Sequence, residues 1–260
     1  MPPKAKKYLG QNFLEDKNVL KRIASLLEIE SDDEIVEIGP GHGELTKEIL
    51  AFSPKKLSSI EKDADLWPII ADGFAKNKAF SLIKGDALDI LPEVTPKKRN
   101  WKIGGNIPYY ITGHLLRMIG ELPNPPVLAV FTVQKEVAER ACSLPPNMNL
   151  LSASIGFWAE SSMGGIIKKE SFRPVPKIDS AILIIRRKKN IPEDAAKYYE
   201  TMRALFKQPR KTILNNLSDG LKKTKEEAAD IIKNAELDIA SRSQNLSVED
   251  ILNIANKTPR

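Results

Sequence analysis

The chain has 260 residues and a mass of 29.0 kDa, which is room for one large domain or for one domain and a small companion. A hydrophobic fraction of 42% supplies a sizeable core and excludes wholesale disorder. No apolar run approaches the roughly 18 residues of a membrane span, and a net charge of +6 permits a polyanionic partner without requiring one.

Met1 to Tyr8 carries Lys4, Lys6 and Lys7 but no apolar stretch follows, so no secretory leader is expected. Val19, Ile23, Leu26 and Leu27 then recur at helical spacing, as do Leu45, Ile49 and Leu50 further on. Strands are predicted at Glu34–Ile38, Lys56–Glu61, Phe80–Lys84, Trp101–Gly104, Val127–Gln134, Leu151–Trp158 and Ser180–Arg186. Strand and helix in alternation predict an α/β fold with a mostly parallel sheet. The last two predicted strands lack a helix between them and read as a hairpin-like pair at a sheet edge. Cys142 is the only cysteine, and His42 and His114 are the only imidazoles, so neither an intrachain disulfide nor a His/Cys zinc site is expected. A metal-free cytoplasmic protein, monomeric by default, is the expectation.

The basic run Arg186–Lys189 and the Asn190-Ile191-Pro192 that follows mark a boundary. Residues 1–188 are expected to form the α/β domain and residues 189–260 a helical subdomain. Its apolar faces are Tyr199, Met202, Leu205 and Phe206, then Ile213, Leu214 and Leu217. Ala228, Ala229, Ile231 and Ile232 follow, and then Ile251, Leu252, Ile254 and Ala255. Ser247 with Asp250 reads as a helix start.

The chemistry concentrates at strand ends. Glu37-Ile38-Gly39-Pro40-Gly41-His42-Gly43 lies between a strand and a helix, where glycines allow a sharp turn and close approach to a ligand. Position 44 is Glu, so the dinucleotide spacing G-x-G-x-x-G is incomplete. The next strand ends in Glu61-Lys62, and a carboxylate there can accept both hydroxyls of a ribose. The one after runs into Asp86-Ala87, where a carboxylate can accept an adenine amine. Either acid alone could equally be a solvated strand end or a helix N-cap. Together, behind a glycine loop holding no Lys or Arg for phosphate, they suit an adenosine without phosphates and favour S-adenosylmethionine over NAD or ATP.

The fourth predicted strand leads into Asn106-Ile107-Pro108-Tyr109-Tyr110. The segment could be turn chemistry and half-buried packing. Beside a cofactor cleft, the Asn106 amide oxygen and the Pro108 carbonyl could accept hydrogen bonds from an aryl amine and aim its lone pair at a methyl donor. Tyr109 offers a stacking face, worth about 1–3 kcal/mol per base.

At these residues the chain resembles the small-subunit ribosomal RNA adenine dimethyltransferases, the kasugamycin-sensitivity enzymes and their archaeal and eukaryotic relatives. The likeness runs through Gly10-Gln11-Asn12-Phe13-Leu14 with Asp16, Glu37 to Thr46, Glu61, Asp86 and Asn106 to Tyr109. It continues in Gln134 to Arg140, Phe172 to Ala181, Leu205-Phe206 and Arg210-Lys211-Thr212. The resemblance implies a Rossmann-like methyltransferase sheet with a reversed last strand and a helical RNA-contacting subdomain. It implies cofactor contacts from Asn12, Leu14, Gly39, Glu61, Asp86 and Asn106, and Gly41, Lys62 and Ala87 are expected to bind the cofactor beside them. It also implies dimethylation of two adjacent adenosines near the 3′ end of small-subunit rRNA, within the immature subunit. Phe172 is expected to sandwich the base with Tyr109, the alternative being a core position.

The chain departs from the family pattern in three places. Leu144 to Leu151 looks shorter than the usual loop and lacks its Tyr-Gly-Arg, Pro209 stands for an arginine, and Gln244 stands for a glutamate. Lys168–Lys169, Arg186–Lys189 and Arg210–Lys211 could bind phosphates or be solvated surface. Three other readings compete: a large-subunit rRNA adenine methyltransferase of the antibiotic-resistance type, a non-catalytic nucleic-acid-binding factor, and a small-molecule methyltransferase. The complete Asn-Ile-Pro-Tyr set argues against the second, and the basic clusters and helical subdomain against the third.

Overall fold

The computed structural model describes residues 5–97 and 100–259. Lys4 of the basic N-terminus lies outside them. The chain falls into two compact units, residues 1–138 with 161–187, and residues 139–160 with 188–260.

The first unit contains β1 (Phe13–Leu14), α1 (Lys17–Leu26), β2 (Glu34–Ile38), α2 (Glu44–Leu50), β3 (Lys56–Glu61), α3 (Trp67–Phe74) and β4 (Phe80–Lys84). α4 (Ala87–Val94), β5 (Trp101–Asn106), α5 (Thr112–Glu121) and β6 (Leu128–Gln134) follow, then α6 (Lys135–Ala141) at the boundary. Beyond α7 (Leu150–Trp158), which belongs to the second unit, come β7 (Ala159–Ile167), β8 (Phe172–Arg173) and β9 (Ser180–Arg187). One sheet has the strand order β4-β3-β2-β5-β6-β9-β7. β4, β3, β2, β5 and β6 run parallel, and β9 is antiparallel to β6. The predicted α/β class and reversed late strand are therefore present. The chain winds outward through β3 and β4 on one side of β2, and through β5 and β6 on the other. This change of direction opens a crevice at the carboxyl ends of β2 and β5, where ligands of open α/β sheets bind.

Inward residues of the central strands are almost wholly buried, among them Ile35, Leu57, Ile103 and Val130. Such strands read as continuous apolar runs because both faces are covered. β1 pairs antiparallel with β8, setting Phe13 opposite Arg173 and Leu14 opposite Phe172. Leu14 and Phe172 thereby join the core formed by Leu20, Ile23, Leu27 and Ile182.

The predicted strand Leu151–Trp158 is instead helix α7. Leu151 to Ile155 and Phe157-Trp158 are all buried, and an apolar run buried all round has no period that separates helix from strand. The local signal that decides is Asn149, whose side chain accepts from the Leu151 and Ser152 amides while Ser152 caps back. The strand beside β9 is Ala159–Ile167, whose Glu, Ser and Gly residues disguise it.

The second unit continues with α8 (Ala195–Leu205), α9 (Ile213–Leu221), α10 (Lys225–Asn234) and α11 (Val248–Lys257). The helical C-terminal region is as expected, but residues 139–160 group with it rather than with the sheet. Tyr198 of α8 donates to the Ala153 carbonyl of α7 at 2.8 Å and stacks on Phe157, with 4.5 Å between ring centroids. A Cβ on Gly156 would lie 2.7 Å from Val248 Cγ2, so α7 and α11 need glycine to meet there. In the loop before α7, Met148 N–H donates to the Gln244 carbonyl at 3.0 Å, joining two of the three places where the sequence is expected to depart from the family pattern. Among the described residues, no helix is long and apolar enough to cross a membrane.

Candidate active site

A cleft of about 730 Å³, counting its open mouth, lies at the carboxyl ends of β2, β3, β4 and β5. Its floor is the glycine loop. Gly39, Gly41 and Gly43 have φ values of 67°, 62° and 95°, conformations that only glycine adopts readily. At Gly41 the space is also limiting, since a Cβ would sit 3.0 Å from the ring of Phe13.

Glu61 ends β3 and is 6% exposed. One carboxylate oxygen accepts the Asp63 amide at 2.7 Å and the other the Gly41 amide at 3.3 Å. Burial pushes its carboxyl pKa up, against the pull of these two N–H groups. Each oxygen keeps a lone pair, so the group can accept from a vicinal diol across the cleft. Asp86 ends the β4 turn and caps α4, accepting the Leu88 amide at 2.9 Å and the Lys62 ammonium at 2.6 Å. Burial works against its charge, but these donors hold it below the usual carboxylate range. This residue both caps α4 and lines the cleft.

Glu37, in β2 just before the glycine loop, is completely buried. Its Oε2 accepts from Ser59 at 2.6 Å and Thr46 at 2.7 Å, while Oε1 has no partner among the described residues. Desolvation pushes its pKa up to about 7 despite those two hydroxyls. This acid holds the glycine loop to β3 and α2 rather than facing a ligand.

At the end of β5, Asn106 donates its Nδ2 to the Asn12 carbonyl at 2.7 Å. A carbonyl partner can only accept, which fixes the amide orientation and leaves Oδ1 as the acceptor. Tyr109 donates to or accepts from Ser180 Oγ at 2.8 Å, and burial raises its phenol pKa. The ring is thereby held at the cleft wall.

A family model described as ribosomal RNA adenine dimethylase matches residues 3–258. The chain belongs to that family. The ribosomal RNA small subunit methyltransferase A of Mesoplasma florum is 38% identical over 99% of this chain and 100% of its own length. A dimethyladenosine transferase of Plasmodium falciparum superposes with a TM-score of 0.78 at 24% identity, over 93% of this chain and 95% of that one. The 23S rRNA methyltransferase ErmE does so with a TM-score of 0.73, also at 24% identity, over 95% and 99%. At that identity the structural likenesses speak for the dimethylase fold alone.

Asn12, Gly39, Gly41, Glu61, Lys62, Asp86, Ala87, Asn106, Pro108 and Tyr109 all line the one cleft. Three expectations need correction. Leu14 does not line it, because pairing with β8 turns its side chain into the core. Phe172 is 0% exposed in that same core and presents no face to a base. The Pro108 carbonyl already accepts the Ile111 amide and the Thr112 hydroxyl, each at 3.2 Å, at the start of α5. Ile107 also lines the cleft, and its carbonyl accepts no hydrogen bond among the described residues. Gln11, Leu66, Gly85 and Tyr110, none of them expected as a site residue, also line the cleft. Tyr110 was legible as an aromatic beside the tetrad and is 57% exposed.

Of the basic clusters, Lys168 pairs with Asp179 at 3.4 Å and Lys211 with Asp219 at 3.1 Å. Arg186 pairs with Glu28. Exposed pairs of this kind remain available to phosphates, because each contributes only about 0–1 kcal/mol.

Proposed function

We infer that this chain is an S-adenosylmethionine-dependent rRNA adenine N6,N6-dimethyltransferase. It acts in the cytoplasm, as a monomer, on two adjacent adenosines near the 3′ end of small-subunit rRNA in the immature subunit. The observation that carries the reading is the Asn106 amide, whose oxygen is left free at the end of β5 in the cleft that Glu61 and Asp86 also line. Family membership and relatives named for the small-subunit reaction favour that substrate over the large-subunit one.

The residues present fit the cofactor. The buried Glu61 carboxylate has lone pairs for ribose hydroxyls, Asp86 lies at the next strand end for an amine, and Gly39 and Gly41 leave the floor without side chains. When bound, S-adenosylmethionine supplies an electrophilic methyl on a sulfonium leaving group. The protein's task is then placement. Asn106 Oδ1 accepts from the adenine N6 amine, with the Ile107 carbonyl as the second acceptor in place of the engaged Pro108. Two acceptors in the plane of the N–H bonds draw the lone pair out of conjugation and direct it along the attack line. Held by Asn106 and Ile107, the amine would meet the methyl that the cofactor supplies and would release its proton to solvent. No strong base is required, in keeping with a tetrad that has no His or Cys. Tyr109, fixed by Ser180, is the stacking face. With Phe172 in the core, the opposite face of the base is left to the cleft mouth, where Tyr110 is exposed. The target must leave its stack, which is easiest in a loop.

The test is to incubate the chain with methyl-labelled cofactor and, separately, undermethylated small subunits, large subunits and free nucleosides, then map the label. Two N6,N6-dimethyladenosines in small-subunit rRNA are expected. Label only in large subunits or only in nucleosides overturns the reading.

A further inference from the structure

One wall of the cleft is not built on the sheet. Leu9, Gly10, Gln11, Asn12 and Phe13 line it as a strap that leaves the 3-10 turn Lys7–Leu9 and precedes α1. Only at β1 does this stretch enter a ladder. Gly10 lies under Tyr110, where a Cβ would approach the ring to 3.2 Å, and the Asn12 carbonyl takes the Asn106 amide. These contacts are with residues of the site itself. What fastens the strap from outside is Asp63, which follows β3 and is 3% exposed.

Asp63 Oδ1 accepts the Lys6 ammonium at 2.6 Å and its Oδ2 accepts the Gln11 amide at 2.7 Å. Lys6 also reaches Asp65 at 2.7 Å, and its backbone N–H donates to Gln11 Oε1 at 2.7 Å, so Lys6 and Gln11 hold each other as well. The main-chain N–H of Asp63 is the 2.7 Å donor to Glu61. One residue therefore ties the strap to the sheet and sets the carboxylate proposed to hold the ribose. Nothing in the mechanism above uses it.

Resting on the methyltransferase reading, we propose that Asp63 is a positioning residue, a clasp that closes the Lys6–Phe13 strap over the cofactor, so that cofactor retention rather than methyl transfer depends on it. A buried carboxylate deprived of its cation is costly. Loss of Lys6 therefore frees the strap, and the wall it forms must be ordered anew by each incoming cofactor. Such a cost enters the dissociation constant and leaves the geometry of the bound state intact.

The test compares the full wild-type chain with Lys6→Met, Asp63→Asn and Asp63→Glu. Three readouts are calorimetric binding of S-adenosylhomocysteine, the rate of chymotryptic cleavage after Tyr8 with no cofactor present, and kcat against cofactor KM on small subunits. Lys6→Met and Asp63→Asn should raise Kd and KM about tenfold, equivalent to about 1.4 kcal/mol. Both should speed cleavage by a similar factor and leave kcat within twofold. Asp63→Glu should recover most of the affinity. Lys6→Met strands the buried Asp63 carboxylate and should lower the melting temperature, so binding is measured at a temperature where circular dichroism shows every variant folded, and loss of fold cannot mimic the result. The clasp is overturned if Lys6→Met binds as tightly as wild type, or if kcat falls while Kd and KM stay put. Wild-type chain that takes up no S-adenosylhomocysteine overturns the methyltransferase reading itself, a result distinct from either.

Discussion

In the helical unit, Thr212, Thr224 and Ser247 each turn a hydroxyl onto the third backbone N–H of the helix that follows, and Tyr198 donates to a helix carbonyl. In the sheet unit, the polar groups at the cleft are left partly unmatched. Glu61 is buried with lone pairs to spare, and Asn106 keeps its oxygen free of any partner among the described residues. Three successive glycines of the loop hold left-handed backbone. Both units use side chains to cap helices, Asp16 and Asp86 in the sheet unit among them, but at the cleft Glu61 and Asn106 keep acceptors that their own backbone does not use. Spare acceptor capacity on Glu61 and Asn106, two groups that line one cleft, locates the site more sharply than charge does.

That contrast can be broken by experiment. The largest effect is expected at Asn106. Asn106→Ala should lower methylation by about a hundredfold or more, because misplacement of the amine is enough for such a loss. Cofactor binding by calorimetry should stay within a few-fold of wild type. Turnover retained in the variant would remove the orienting role.

Next is the pH dependence caused by Glu37. Its carboxyl titrates near 7 in the folded chain against an ordinary value of 4.5. The folded state thus binds the proton more tightly, and the stability this contributes is present below pH 4.5 and is lost as pH rises through 7. The loss amounts to about 3 kcal/mol. Urea unfolding between pH 5 and 8 should show wild type weakening more steeply than Glu37→Gln. Parallel curves would mean that Glu37 is charged throughout.

A smaller effect is expected in the helical unit. Ser247→Ala removes the capping box shared with Asp250 and should cost about 1 kcal/mol in chemical denaturation, with methylation at saturating substrates unchanged. A loss of turnover instead would blur the division between the two units. The smallest belongs to the exposed Lys62–Asp86 pair at 2.6 Å. Lys62→Met should shift stability by less than about 0.5 kcal/mol, and a larger shift in a thermal melt would show that the cleft rim carries structural load.

The central strands and the carboxylates at their ends were legible because a covered parallel sheet must be apolar along its length and must place its polar residues at its ends. Helix α7 was misread because burial on all sides erases periodicity, although the Asn149–Ser152 cap was there to be seen. β7 was passed over because an edge strand tolerates Glu, Ser and Gly. Leu14 and Phe172 were assigned to the site by their motifs. Their side chains went inward because β1 and β8 pair with each other, a contact between residues about 160 positions apart that no local pattern encodes.

The sequence by itself determined the alternation of strand and helix, the glycine loop, the two acids and the amide, since each follows from local chemistry and spacing. Tertiary structure alone decided which carbonyl beside Asn106 is free, which aromatic faces the cleft, and that Asp63 reaches back to Lys6 and Gln11. Those choices depend on which distant backbone arrives first at a shared hydrogen bond or a shared space, and that is a property of the folded chain.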